Sequence, residues 1–132
     1  MVAIALIAAT FLTGFSSYED NQPNGFDQYY KSMYATAYCL HGKTYTGKHT
    51  RKGIAATGDK SLVGMTVLVY QQLPDGSMGE YIGLYEVEDT GCKTGVLDVW
   101  CEDLDECQEF MDLVYRNDCK SKVYCRFIKA EG

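Results

Sequence analysis

The sequence predicts a small, mainly β protein in which short strands close into a barrel, with one short helix late in the chain. Two observations lead to this fold class. Short runs of apolar and β-branched residues alternate with polar ones from Met33 onward, and turn-forming residues separate the runs. Only one later segment has the three- and four-residue apolar spacing of a helix. Because closing a sheet removes its exposed edges, about six short strands are expected to form a barrel.

The strand pattern places five segments with some precision. Pro74, Asp75, Gly76 and Ser77 form a turn signal between two of them, so residues 66–87 are expected to form a hairpin. Residues 42–52 are polar and basic and predict a loop. The predicted strands cover residues 33–39, 66–73, 81–87, 96–101 and 122–128.

The predicted helix covers residues 103–115. Its apolar side chains fall on one face at helical spacing, namely Leu104, Cys107, Phe110, Met111 and Val114. Asp103 stands three residues before Glu106, a capping-box arrangement that predicts the start of the helix at Asp103. Asn117 and the polar residues after it predict its end.

The N-terminal residues suggest export. Residues 2–15 are an apolar run without a charged side chain, short against the roughly twenty residues of a membrane span. The run fits a secretory signal, with Gly14 and Ser16 as small residues before a cleavage point, although no Lys or Arg precedes it. A buried strand or helix of the domain is the alternative. We expect a signal peptide or N-terminal membrane segment at 1–16, a linker at 17–32, and the barrel domain at 33–132.

The charge balance narrows the class of partner. The 132-residue chain has 18 acidic and 12 basic residues, a net charge of −6. Nucleic acid is not expected as a partner, because binding to phosphates needs a surplus of Lys and Arg on one face. An anionic lipid surface is disfavoured for the same reason. Contact with a membrane is therefore expected only through the N-terminal segment, if it is not cleaved.

Six cysteines in a short chain with a predicted export segment indicate a disulfide framework. They are Cys39, Cys92, Cys101, Cys107, Cys119 and Cys125. Cys92 and Cys101 lie on either side of the predicted strand 96–101, so they are candidates for a bridge that would fix this segment. Pairing of Cys101 with Cys39 or with Cys125 is the open alternative.

A metal site has little support from the sequence. His41 and His49 lie near Cys39, but the spacing matches no familiar ligand pattern, and no Cys-x-x-Cys pair is present. Two surface histidines in a basic loop are the simpler interpretation. No metal or other cofactor is expected.

Two acidic residues stand in unusual surroundings. Asp89 comes at the end of a predicted strand, and Asp98 stands alone in the middle of an apolar one. A carboxylate there is costly unless it is paired, solvated or kept neutral by a raised pKa, which is what a general acid needs. Strand alternation puts Asp98 and Trp100 on one face, an acid beside a ring that could hold a sugar. Alternatively, Asp98 forms a structural hydrogen bond or ion pair and Trp100 fills the core.

Four segments together resemble a known family. They are YATAYC at residues 34–39, GIAA at 53–56, VEDTG at 87–91 and LDVW at 97–100. Their order and rough spacing are similar to those of the three-aspartate (3D) domain of bacterial stationary-phase-survival proteins and of membrane-bound lytic transglycosylase A. The resemblance covers about residues 33–129. It implies a six-stranded double-psi β-barrel with one short helix.

The resemblance also implies a function. Members of the family act as lytic transglycosylases on peptidoglycan glycan strands, cleaving the bond between N-acetylmuramic acid and N-acetylglucosamine to leave a 1,6-anhydro end. The catalytic acid of the family corresponds to Asp98 and a supporting aspartate to Asp89, with Thr90, Gly91 and Trp100 expected at the substrate. A bacterial protein that is secreted or held at the cell wall is implied.

One departure concerns the first of the three aspartates. It usually follows GIAA almost directly, whereas here Asp59 comes three residues after Ala56. Either Asp59 is the third aspartate of the site, or the site has only two.

Two rival functions remain. Asp89-Thr90-Gly91 is also the signature of aspartic proteases, but Glu88 stands where an apolar residue is expected and the later apolar-apolar-Gly segment is missing. The other rival is a non-catalytic wall-binding or interaction module on the same barrel, since fold does not fix function.

Overall fold

The computed structural model describes residues 28–129, which form a mainly β domain with six strands in one sheet and one short α-helix. This confirms the mainly β class, the strand number and the helix. The elements are β1 (Gln28–Tyr38), β2 (Ile54–Thr57), β3 (Thr66–Gln72), β4 (Met78–Thr90), β5 (Val96–Trp100), α1 (Leu104–Tyr115) and β6 (Lys122–Ile128), with 3-10 helices at Lys60–Leu62 and Arg116–Asp118.

The sheet closes in the order β1-β5-β2-β4-β3-β6, with β6 paired back to β1. Two of the pairings are parallel, β1 with β5 and β2 with β4, and the other four are antiparallel. Closure pairs every strand on both sides, so no edge strand is left exposed. It also brings β5, from late in the chain, between β1 and β2.

Strand β1 begins earlier than the sequence predicted. Residues 28–32, assigned to the linker, already pair with β6, and the register runs from Gln28↔Ile128 to Tyr34↔Lys122. The strand then changes partner, and Tyr34 to Tyr38 pair with β5. The predicted boundary at Met33 is therefore too late, because β1 is long enough to serve two neighbours in succession.

Strand β4 is also longer than predicted and contains an irregularity. Ala55 is the register partner of Val87, but Ala56 is the partner of Asp89, so Glu88 is an extra residue in β4. Such a bulge changes the direction of the side chains that follow it. Here the bulge changes the alternation of side chains between the two faces of β4 immediately before Asp89.

The core fills the barrel and continues under α1. It consists of Met33, Ala35, Ala55, Leu62, Val67, Val69, Val87, Leu97, Val99, Cys101, Phe110, Val114, Val123, Cys125 and Phe127. Leu97 and Val99 point into this core, so strand alternation directs Asp98 to the other face of β5.

Helix α1 starts as predicted. The Asp103 carboxylate accepts a hydrogen bond from the Glu106 amide at 2.9 Å, and the Glu106 carboxylate accepts one from the Glu102 amide at 2.9 Å. The ring of Phe110 meets that of Tyr85 edge to face, with 6.3 Å between centroids. The prediction was wrong for Leu104, which is 75% exposed, because it is the first residue of the helix and precedes the turns that pack on the core.

Within residues 28–129, no helix has the length and apolar character needed to cross a bilayer. The predicted signal or membrane segment at 1–16 lies outside the described residues, as does most of the predicted linker.

Candidate active site

The two carboxylates singled out by the sequence flank the same residue of the sheet. Strand β2 lies between β4 and β5, and Ala56 is the register partner of Asp89 on one side and of Asp98 on the other. Strands in a sheet lie about 4.8 Å apart. The barrel therefore brings Asp89 and Asp98 to one place, separated by a residue whose side chain is a single methyl group.

Asp98 is held from the neighbouring strand. The Thr36 hydroxyl, directly across the parallel β1/β5 pair, donates a hydrogen bond to Asp98 Oδ1 at 2.8 Å. Burial raises the pKa of Asp98; the bond from Thr36 opposes this, and the negative charge of Asp89 adds to it. The outcome is a half-buried carboxyl group that keeps its proton to higher pH than an ordinary aspartate.

Asp89 accepts hydrogen bonds from three directions. Its Oδ1 accepts from the backbone amides of Tyr45 at 3.0 Å and Thr90 at 2.9 Å, and Oδ2 lies 3.4 Å from the Tyr38 hydroxyl, which donates to it. Burial raises the pKa of Tyr38, and the charges of Asp89 and Asp98 raise it further, so this phenol stays protonated. Three donors fix the orientation of the Asp89 carboxylate.

The residues after Asp89 form the turn into β5. Gly91 has φ 119°, a conformation that favours glycine. The Cys92 thiol points to the carbonyl of Val96, 3.6 Å away, and its pKa is raised by burial and by the charges of Asp98 and Asp89. A sulfur held as a thiol is a poor nucleophile, so Cys92 is not suited to covalent catalysis.

The turn packs directly on Gly58. A Cβ at Gly58 would lie 2.4 Å from the carbonyl carbon of Lys93 and 2.5 Å from the amide nitrogen of Thr94. Only a residue without a side chain allows this approach. Gly58 therefore sets the position of residues 91–95, which lead into the strand of Asp98.

The loop of residues 42–52, which was predicted from its polar and basic composition, covers the end of β4. Glu88, the bulge residue, is 5% exposed and forms a two-pronged ion pair with Arg51, in which Arg51 Nη1 donates to Oε1 at 2.8 Å and Nη2 donates to Oε2. The Thr46 amide donates to the Glu88 carbonyl at 3.3 Å. These contacts, together with the bond from Tyr45 to Asp89, anchor the loop beside the two carboxylates. Two features of the sequence could have predicted this ion pair: Glu88 is next to Asp89, and residues 42–52 are basic.

Trp100 does not offer a ring to a sugar. It is 3% exposed, its indole N–H donates to the Leu40 carbonyl at 2.7 Å, and the His41 ring packs edge to face on it at 5.3 Å. Trp100 is therefore a buried residue of the fold, which is the alternative to a sugar-binding ring. An exposed aromatic residue beside Asp89 is Tyr45, which is 56% exposed and has the Lys60 ammonium 5.6 Å from its ring centre.

Asp59 has a local task. Its Oδ1 accepts from the Ser61 amide at 2.9 Å and from the Ser61 hydroxyl at 2.7 Å, which caps the 3-10 helix Lys60–Leu62. Both bonds lower the pKa of Asp59. A carboxylate engaged in this way acts as a helix cap, and the two aspartates that the sheet brings together across Ala56 are Asp89 and Asp98.

The six cysteines are free thiols, so the candidate bridge between Cys92 and Cys101 is not formed in the structure. Cys92 lies near the two carboxylates, whereas Cys101 lies near Cys107 and Cys39. His41 contacts Trp100 and the Glu102 carbonyl. In residues 28–129, no three His, Cys, Asp or Glu side chains are placed to hold a metal ion.

The chain was also compared with known proteins, and neither a protein-family model, nor a curated protein, nor a solved structure matches it.

Proposed function

We propose that this protein is a peptidoglycan lytic transglycosylase and that its barrel is of the double-psi type. The observation that carries the proposal is the half-buried Asp98 carboxyl, whose pKa is raised, at a site shared with Asp89. A closed order with two parallel pairs, β1/β5 and β2/β4, supports the barrel type. The resemblance of residues 87–91 and 97–100 to the 3D domain supports the substrate class.

Asp98 is the proposed acid and base. Thr36 occupies Oδ1, which leaves Oδ2 to carry the proton. Protonated Asp98 donates this proton to the oxygen between muramic acid and glucosamine as the glycosidic bond breaks. The resulting carboxylate then takes the proton of the muramic acid C6 hydroxyl, whose oxygen attacks C1. The bond formed in this step closes the 1,6-anhydro ring, and Asp98 regains its proton.

Asp89 has a supporting role in the proposal. Its charge adds to the rise in the pKa of Asp98, so it helps Asp98 to keep its proton to higher pH than an ordinary aspartate. Since its orientation is fixed by Tyr45, Thr90 and Tyr38, its distance from the reacting sugar is also fixed. A negative charge held there favours the positive charge that develops on the sugar ring as the bond breaks.

The substrate would lie across the outer face of β5, beside Asp98 and Asp89. Tyr45 supplies an exposed ring beside Asp89, and aromatic faces commonly stack on the apolar face of a sugar. Glycan strands of the cell wall are the proposed partner, which implies export through the N-terminal segment. The proposed site uses no cofactor.

The test is digestion of purified peptidoglycan followed by mass analysis of the soluble products. Wild-type protein should release fragments with 1,6-anhydro ends. Asp98→Asn keeps the shape but lacks the proton, so activity should fall about 10²–10⁴-fold. Asp112→Asn is the matched control, because Asp112 is exposed on α1, bonded only to Gln108 among the described contacts, and should keep full activity. Free reducing ends would instead identify a hydrolase that uses water.

A non-catalytic wall-binding module is the second candidate. The observation in its favour is that Asp59 is occupied as a helix cap, which removes one of the three aspartates of the family pattern. Sedimentation with insoluble peptidoglycan separates the two functions. Binding by both wild type and Asp98→Asn, with no soluble product from either, would establish the module and exclude the enzyme.

A further inference from the structure

Three cysteines, at the ends of β1 and β5 and on α1, meet at one end of the barrel. Cys39 follows Tyr38 at the end of β1 and Cys101 follows Trp100 at the end of β5, and Tyr38 and Trp100 are register partners in the parallel β1/β5 pair. The Cys101 amide donates to the Tyr38 carbonyl at 2.8 Å, which holds the two strand ends together. Cys107, on α1, packs against the core to which Cys101 belongs.

Cys107 is the centre of this thiol cluster of Cys39, Cys101 and Cys107. It packs against the core that contains Cys101, and the thiols of Cys101 and Cys39 both lie close enough to act on its pKa. The other cysteines are placed differently. Cys92 lies beside the two carboxylates, and the Cys119 thiol donates to the Asn117 carbonyl, 3.9 Å away. The register of the two strand ends and the packing of α1 therefore bring the three thiols within reach of one another, so that one disulfide can form among them.

We propose that the thiol cluster is an oxidation site in which Cys107 and Cys101 form a disulfide that ties the first turns of α1 to the end of β5, with Cys39 as the alternative partner of Cys107. The proposal is independent of the proposed transglycosylase activity, since it depends only on the placement of the three sulfurs. It concerns a pairing different from the Cys92–Cys101 bridge considered from the sequence.

The reaction is exchange with a small-molecule disulfide such as oxidised glutathione. Cys107, the more exposed of the pair, attacks one sulfur as a thiolate, which breaks the small disulfide and releases one thiol. The Cys101 thiolate then attacks the Cys107 sulfur of the mixed disulfide, forming the protein disulfide and releasing the second thiol. The protein loses two protons and two electrons, and these appear in the two small thiols.

Burial slows both steps, because it raises the pKa of Cys107 as well as that of Cys101. Burial and the neighbouring Cys107 raise the pKa of Cys101 to about 12, so little thiolate is present at neutral pH. Cys39, Cys107 and Glu106 lie near Cys101 and act in the same direction. Tyr85 of β4 also lies close enough that Cys101 raises its pKa. Oxidation is therefore run at mildly alkaline pH with excess oxidised glutathione.

Tryptic peptides distinguish the possible pairs directly. Cys101 and Cys107 share the peptide of residues 94–116, Cys39 lies in 32–43, and Cys92 lies in 61–93. After oxidation and alkylation of the remaining thiols, we expect peptide 94–116 to carry no alkyl group and to be two hydrogens lighter than the reduced peptide. It should not be linked to another peptide, and peptide 32–43 should be alkylated. Oxidised protein should also melt several degrees higher than reduced protein.

Variants test the role of Cys107 as the shared partner. Cys101→Ala should redirect the bond, so that 94–116 becomes joined to 32–43, and Cys107→Ala should leave every cysteine alkylated. Cys119→Ala is the matched control and should behave as wild type, with the near-ultraviolet circular dichroism spectrum of each variant used to verify folding. Full alkylation of folded wild type, a link between 61–93 and 94–116, or a link between Cys39 and Cys101 would each overturn the proposal.

Discussion

Gly58→Ala tests whether the close packing beneath the site is as tight as the structure indicates. The added methyl carbon would lie 2.4 Å from the Lys93 carbonyl carbon and 2.5 Å from the Thr94 amide nitrogen, where carbon contacts are normally about 3.5–4.0 Å. Because both atoms belong to the backbone, no side chain can rotate away. Residues 91–95 would have to move by about 1 Å. Forced shifts of this kind typically cost about 1–3 kcal/mol.

The control is Gly42→Ala. Neither Gly58 nor Gly42 has a positive φ, so alanine brings no conformational strain at either position. A methyl group at Gly42 would meet nothing within 4 Å. Its only effect should be the lower entropy of the unfolded chain, a gain of about 0.4–1 kcal/mol. The two variants should therefore shift stability in opposite directions.

Urea unfolding of the wild type and both variants measures the difference. With unchanged slopes, the midpoint should fall for Gly58→Ala and rise for Gly42→Ala. The proposed function further predicts that activity on peptidoglycan falls for Gly58→Ala, since residues 91–95 lead into the strand of Asp98. Equal stability of the two alanine variants would refute the close approach and the positioning role given to Gly58.

Three further predictions concern the site and its loop. Trp100→Ala should destabilise the fold by about 3–5 kcal/mol in urea unfolding, as expected for a buried ring, and a loss of glycan binding at unchanged stability would contradict this. Asp98→Asn should melt a few degrees above wild type at pH 7. The pKa of Asp98 is higher in the folded than in the unfolded protein, so its contribution to stability is complete at pH values below the unfolded-state pKa and is lost as the pH rises through the folded-state pKa. A gain for Asp98→Asn that persists in acid would count against this reasoning. Arg51→Ala should lower the protection factor of the Tyr45 amide in hydrogen exchange, since Arg51 lowers the pKa of Glu88 and holds the loop; acid should also lower this protection factor, calculated against the intrinsic exchange rate at each pH, as Glu88 takes up a proton. Unchanged exchange would argue against this anchor.

Local patterns predicted the parts of the fold that local chemistry decides. The strand at residues 122–128 and the start of β3 at Thr66 agree with the structure to the residue, because alternation of apolar side chains needs only one buried face. The start of α1 was also predictable, since the Asp103 carboxylate and the Glu106 amide are three residues apart. The isolation of Asp98 among apolar neighbours similarly indicated an unusual carboxyl group.

Features that depend on distant contacts could not be predicted in the same way. Trp100 is buried because Leu40, sixty residues earlier, accepts its indole N–H, and strand alternation alone could not distinguish a covered face from an open one. Glu88 is satisfied by Arg51, 37 residues away, so its burial has no local signature. Asp59 was expected to be either the third aspartate of the site or outside it. Its actual hydrogen bond from the Ser61 amide is a local motif, since Asp59 and Ser61 are two residues apart in the sequence.

The parallel pairing of β1 with β5 has a consequence for how the protein folds. Thr36 and Asp98 are 62 residues apart, and no segment between them can bring them together until both halves of the chain have collapsed. Closing a loop this long costs conformational entropy, and domains rich in such contacts fold in milliseconds to seconds. Asp98 therefore acquires its contact with Thr36 only when both ends of the barrel have come together, and a fragment that lacks either end should have no trace of the site.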